Sequence, residues 1–158
     1  MNMNFVINIK RMKKAIILSV LLIGITSGLF AQRSGLGVGV ILGEPTGLSV
    51  KKWTGSKTAI DAAAAWSLTG EYIHFHADAL VHSFALSVDE GQLPLYIGLG
   101  GRVLLADKPA IGVRVPVGAA YHFDAAPFDM FLELAPILDL IPDSDFDVNG
   151  AIGIRYYL

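Results

Sequence analysis

From Leu36 to Leu158, apolar side chains fall on every second residue over run after run, and the positions between them carry glycine, alanine and the mid-strand charges. That period of two is the period of a β-strand, whose successive side chains point to opposite faces. One face reads Leu36, Val38, Val40, Leu42, then Leu48 and Val50, and continues through Ile60, Trp66, Ile73, Phe75, Leu95, Ile97, Leu99, Val103, Ile111, Val113, Val115, Val117, Leu132, Leu134, Val148, Ile152 and Ile154. It holds no charge. The other face holds Lys51, Asp61, Asp78, Arg102, Arg114, Glu133, Asp147 and Arg155, four basic and four acidic groups that can neutralise one another.

No window shows helical spacing in this stretch, and turn signals recur every 9 to 15 residues: "GEPTG", "TGSKT", "LTGE", "VDEGQ", "ADKP", "DAAP" and "IPDSD". The seven turns separate about eight strands, roughly 35–43, 46–54, 58–68, 71–83, 93–106, 110–123, 128–138 and 146–158. Most reach the ~9–11 residues that a tilted strand needs to cross a bilayer. Short consecutive connections predict an all-β, antiparallel up-and-down meander that closes into a barrel.

Two barrels fit the alternation, with opposite sides out. A soluble barrel binding an apolar ligand would turn the apolar face inward and leave a surface of glycine and alanine, which is a poor soluble surface. A transmembrane barrel turns the apolar face to lipid and the mixed face to the lumen. Pointing four basic side chains at lipid would cost ~2–4 kcal/mol each near the midplane, a total comparable to the stability of a whole domain. The expected arrangement is therefore a transmembrane barrel with its charges inside. Eight strands enclose a space that side chains fill, so a plug of ion pairs is expected and a pore is not.

The N-terminal stretch differs in kind. "KRMKK" followed by "AIILSVLLIGITSGLFAQ" reads as a secretory signal peptide, residues 1–31, with cleavage after Ala31 and the barrel domain at 32–158. Its apolar run is shorter than the ~20 residues of a membrane-spanning helix. Removing it leaves eight basic residues against fourteen acidic ones, a balance that argues against nucleic acid as a partner. The chain has no cysteine, and so neither a disulfide framework nor a lipid-modified cysteine.

Three features qualify the picture. Pro116 stands in the middle of the sixth strand, where a missing donor predicts a bulge or a broken ladder bond. The connection from Phe84 to Gln92 is long for a periplasmic turn, unless strands four and five extend beyond the membrane. Trp53, Tyr121, Phe123, Phe128 and Tyr156 fall at the periplasmic rim and Trp66 and Tyr72 at the outer rim, where an aromatic belt is expected.

The candidate site residues lie on the charged face: Lys51, Asp61, His74, His76, Asp78, Arg102, Arg114, Glu133 and Arg155. In "YIHFHADALVH" the residues His74, His76, Asp78 and His82 share one side of a strand. His74 and His76 are ~6.6 Å apart, but His82 lies ~20 Å beyond His76 at ~3.3 Å per residue, and His122 ends its strand at the opposite rim, so no third histidine joins the first two. A tight hairpin at Thr69-Gly70 would put Asp61 opposite Asp78 and Ala63 opposite His76. The group is expected to be a structural lumen network containing Asp61, His76 and Asp78, with no metal, cofactor or catalytic residue assigned. His82-Ser83 makes no catalytic pair, because neighbouring strand residues point to opposite faces.

Over the whole stretch from Gly35, the sequence resembles the small eight-stranded outer-membrane barrels of the OmpA and OmpX type. "LGEPTGLSVKKW" followed by "KTAIDAAAAWS" is more closely similar to a family of short exported barrels of diderm bacteria. The terminal "GIRYYL" resembles the signal read by the barrel-assembly machinery, with Gly153, Tyr156 and Leu158 at its positions, although leucine stands where phenylalanine is usual. The resemblance implies outer-membrane localisation, contact with outer-membrane lipid and with that machinery, and no catalytic residues. The expected role is structural or a surface interaction, not enzymatic. The competing expectations are a lipid-modifying enzyme of the outer membrane and a soluble periplasmic barrel.

Overall fold

The computed structural model describes residues 35–44, 46–67, 72–88 and 91–158. The signal-peptide segment, residues 1–31, lies outside the described residues, as does the Thr69 to Glu71 turn. Nine strands follow one another: β1 (Leu36–Glu44), β2 (Thr46–Trp53), β3 (Thr58–Trp66), β4 (Ile73–Val88), β5 (Gly91–Leu105), β6 (Ala110–Arg114), β7 (Val117–Phe123), β8 (Phe128–Ile141) and β9 (Asp145–Tyr157). There is no helix among the described residues.

Every pairing is antiparallel. Each strand pairs with its sequence neighbours up to β5, and β1 also pairs with β9 from Gly37↔Tyr157 to Glu44↔Gly150. First and last strands thus meet, the sheet has no free edge, and a sheet closed on itself is a barrel.

The sixth expected strand is two strands. β6 and β7 are halves of one stave, both lying between β5 and β8, with the break at Val115-Pro116. Proline supplies no N–H to the ladder. The gap is stitched from both sides: Gly98 N donates to Pro116 O at 2.8 Å and Val115 N to Pro136 O at 3.0 Å. The barrel therefore has eight staves built from nine strands.

The long connection expected after Phe84 is mostly strand. β4 runs 16 residues and β5 runs 15, and they pair out to Val88↔Gly91 past an irregularity between Ser83 and Ala85. The acidic turn expected at Asp139 to Asp145 shrinks likewise, because β8 and β9 pair up to Asp139↔Asp145. Asp139 is a strand residue facing inward.

The two faces have opposite chemistry. Every residue named above on the apolar face is exposed, Leu99 at 63% and Leu132 at 61%. Lys51, Asp61, His74, Asp78, Arg102, Arg114, Glu133 and Arg155 are buried, and Asp147 is half-exposed. The interior is polar and the exterior apolar, the reverse of a water-soluble domain.

Candidate functional site

The interior side chains come from alternate positions of the staves, and they arrange in three levels along the barrel axis. Seen from the end where β5 meets β6 and β8 meets β9, the first level is organised by Arg102. Its Nε donates to Asp139 Oδ1 at 2.9 Å, its Nη2 to Asp139 Oδ2 at 2.5 Å and its Nη1 to Asp147 Oδ2 at 2.7 Å. A planar guanidinium forked onto one carboxylate is the strong, directional form of this bond. His74 is fully buried at this level, and its ring meets that of His76 edge-on at 5.2 Å.

The middle level joins five staves. Asp61 pairs in register with Asp78, and Ala63 with His76, as the hairpin geometry predicts. Arg114 Nη2 donates to Glu133 Oε1 at 2.5 Å, and Glu133 Oε2 accepts from the Tyr96 hydroxyl at 3.0 Å. Arg114 Nε also comes within 3.2 Å of Asp78 Oδ2. That approach is an ion-pair contact without hydrogen-bond alignment, since neither atom has a hydrogen-bond partner. Gly100 faces Asp78 across the sheet, and a methyl group there would overlap Asp78 Oδ1, so only glycine fits.

The third level joins the expected Arg155, Asp61 and Lys51 to residues absent from the sequence-derived set: Ser49, Asp129, Phe131 and Tyr157. Arg155 Nη2 donates to Asp61 Oδ2 at 2.6 Å, its Nε to Ser49 Oγ at 2.9 Å, and its guanidinium carbon lies 3.8 Å above the Phe131 ring. Asp129, 3.8 Å from Arg155 Nη1, accepts from the Tyr157 hydroxyl at 2.6 Å. Lys51 Nζ donates to His82 Nε2 at 2.9 Å and sits 4.7 Å from the Trp53 ring and 5.5 Å from that of Tyr96. Both remaining histidines flank Trp53, His82 at 4.5 Å and His122 at 5.9 Å.

Trp53 is therefore an interior residue, buried to 9% exposure, and not part of an interfacial belt. Parity settles the point: Ser49, Lys51 and Trp53 are two apart on one strand and share its inner side. The same rule places Asp129 and Asp139 with Glu133 on β8, Tyr96 opposite Leu95 and Ile97, and Tyr157 with Arg155. The partner choices follow from how far each stave is staggered against the next, which alternation does not encode. The other aromatics at this end form edge-on pairs, Tyr121 with Phe123 at 4.7 Å and Phe128 with Tyr156 at 5.1 Å.

The residues matched to an assembly signal have structural partners here. Gly153 is buried against the Phe131 ring, leaving no room for a β-carbon. Tyr156 meets the Phe128 ring edge-on, and the exposed Leu158 donates its N–H to Leu36 O at 3.0 Å, binding the end of β9 to the start of β1.

The chemistry of this interior is that of paired charge. No family model matches the chain, and no curated protein matches it. Among solved structures, the N-terminal β-barrel domain of Pseudomonas aeruginosa OprF is similar in fold, with a TM-score of 0.59 and 13% sequence identity over 81% of this chain and 99% of that one.

Proposed function

We propose that the chain is a small integral barrel of the bacterial outer membrane, exported by a removed N-terminal segment, with a structural or surface-interaction role in the envelope. The observation that carries this reading is the inversion of faces: exposed Leu, Ile and Val on the outside of a closed sheet, and paired charge within. Outer-membrane lipid is the solvent of the outer face, and the barrel-assembly machinery is the partner in insertion. The fold shared with the OprF barrel domain supports the location.

The interior is a plug and not a conduit in this reading. Arg114, Arg155, Tyr157 and Lys51 are among its largest fully buried side chains, and eight staves leave room for side chains only. No enzymatic activity is proposed. The connections support a modest outer surface, since Asp107–Pro109 falls between β5 and β6 and three residues join β8 to β9.

Fractionation of expressing cells, with outer membranes run on gels boiled and unboiled, tests the location and the fold together. The expected result is an outer-membrane band whose mobility changes on boiling. Recovery in the soluble periplasm with no such change would overturn it. Planar-bilayer recording of the purified barrel tests the plug, and sustained open-channel steps would contradict it.

A further inference from the structure

The middle level contains an arrangement that ion pairing alone does not account for. Asp61 and Asp78 face each other on adjacent strands, and His76, two residues before Asp78, turns to the same side. One ligand atom from each of the three residues lies within 4.8 Å of the other two. No hydrogen bond joins them. His76 Nε2 stops 4.0 Å from Asp78 Oδ2, while Asp61 Oδ1, both oxygens of Asp78 and His76 Nδ1 have no hydrogen-bond partner.

Asp78 is 2% exposed, and burying a carboxylate with both oxygens unbonded costs several kcal/mol unless something of opposite charge meets it. Arg114 meets this need in part, with a 3.2 Å ion-pair contact to Oδ2 that makes no hydrogen bond and leaves Oδ1 without a partner. Arg155 is spent on Asp61 Oδ2, Ser49 and Phe131, and Arg114 bonds Glu133 while approaching Asp78 out of line. Across the described interior, four cations face six carboxylates, counting the half-exposed Asp147. With all six ionised, two negative charges are in excess, the charge that one divalent cation balances.

We propose that Asp61, His76 and Asp78 bind a divalent transition-metal ion of the zinc type inside the barrel. Imidazole nitrogen with carboxylate oxygen is a ligand set suited to zinc and its neighbours, and three protein ligands with a further position open is a common zinc arrangement. The arginines then act on the ligands: Arg155 orients Asp61 through the oxygen that the metal does not use, as second partners do around metal sites. Gly100 leaves the space into which Asp78 Oδ1 projects. The ion bridges β3 to β4 at mid-height and enters as the barrel closes, since Asp61 and Asp78 are buried afterwards.

The test is refolding of the full chain into detergent with Zn2+ or with a chelator, followed by removal of free metal and measurement of zinc per chain. One zinc per chain is expected. Asp78→Asn and His76→Gln should each lower it at least tenfold, while His122→Gln, at the far end of the lumen, should keep it. Wild-type protein retaining no more zinc than Asp78→Asn would overturn the proposal, as would zinc that survives Asp78→Asn and is lost in His122→Gln. Because a variant can fail to close, each is first checked for the heat-dependent mobility shift. The unaltered chain refolded with Co2+ gives an independent readout: visible bands of a four- or five-coordinate ion support the site, and the spectrum of hydrated Co2+ alone overturns it. A barrel that shifts on heating yet holds no metal would leave the membrane reading standing and remove only this one.

Discussion

Arg155 lies with its guanidinium carbon 3.8 Å above the centre of the Phe131 ring while its Nη2 holds Asp61, so one side chain from the last strand is fixed by the third and the eighth. A cation against an aromatic face in a dry setting contributes ~2 kcal/mol or more, and the charged bonds to Asp61 and Ser49 add to it.

Replacing Arg155 with methionine strands Asp61 and Asp129 without their cation. The expected cost is about 3–5 kcal/mol, the usual cost of removing one partner from a buried pair. Asp61→Asn added to Arg155→Met should recover part of that loss, because the two sites share one interaction. Urea titration of the barrel in detergent, read by the mobility shift, checks both, and strictly additive losses would refute the coupling.

The outer face makes a depth-dependent prediction. Leu134, mid-way along β8, and Phe146, near the start of β9, are both exposed. Leu134→Arg should destabilise the barrel in lipid bilayers by ~2–4 kcal/mol and Phe146→Arg by ~0–1 kcal/mol. Equal costs at the two heights would mean that this face does not meet hydrocarbon.

The two tryptophans should report opposite surroundings. Trp66 is exposed on the apolar side, whereas Trp53 is enclosed by Lys51, His82 and His122. In bilayers containing brominated acyl chains, the Trp53→Phe protein, which keeps Trp66, should be strongly quenched, and the Trp66→Phe protein should be quenched little. Strong quenching of Trp53 would place it back on the rim.

Gly153 separates packing from recognition. Gly153→Val forces a side chain into the Phe131 ring, and an overpacked site of this kind costs ~1–3 kcal/mol. Shrinking the ring with Phe131→Ala in the same chain should restore part of the stability of purified, refolded protein. If the pair refolds in vitro but still fails to assemble in cells, Gly153 acts on the assembly machinery as well.

The alternation of apolar and mixed positions carried most of the architecture, and the tight hairpin at Thr69-Gly70 added the pairing of Asp61 with Asp78. Leu36, Val50, Leu99 and Ile152 could be assigned to the outer face because a period of two leaves no other choice. Trp53 shows where a second argument overrode the first: its position near a strand end suggested a rim, although its parity with Lys51 already turned it inward. Asp139 is missed by a strand that ends at 138, before the turn signal "IPDSD", whereas β8 runs on to Ile141 and Asp139 continues its inner side. Pairs such as Arg155 with Asp61, 94 residues apart, depend on the stagger of distant staves, and no local pattern records that.

The meeting of β1 with β9 gives the molecule two kinds of continuity, one along the peptide and one around the ring. Each stave is hydrogen-bonded on both flanks, so a cut in the short connection between β8 and β9 would leave the circle joined by β8·β9 and β9·β1. Losing β9 would be another matter: β1 and β8 would both be left with bare edges, and Arg155, which reaches three other strands, would go with it. The chain can thus tolerate a nick at its tips far better than the loss of a single stave.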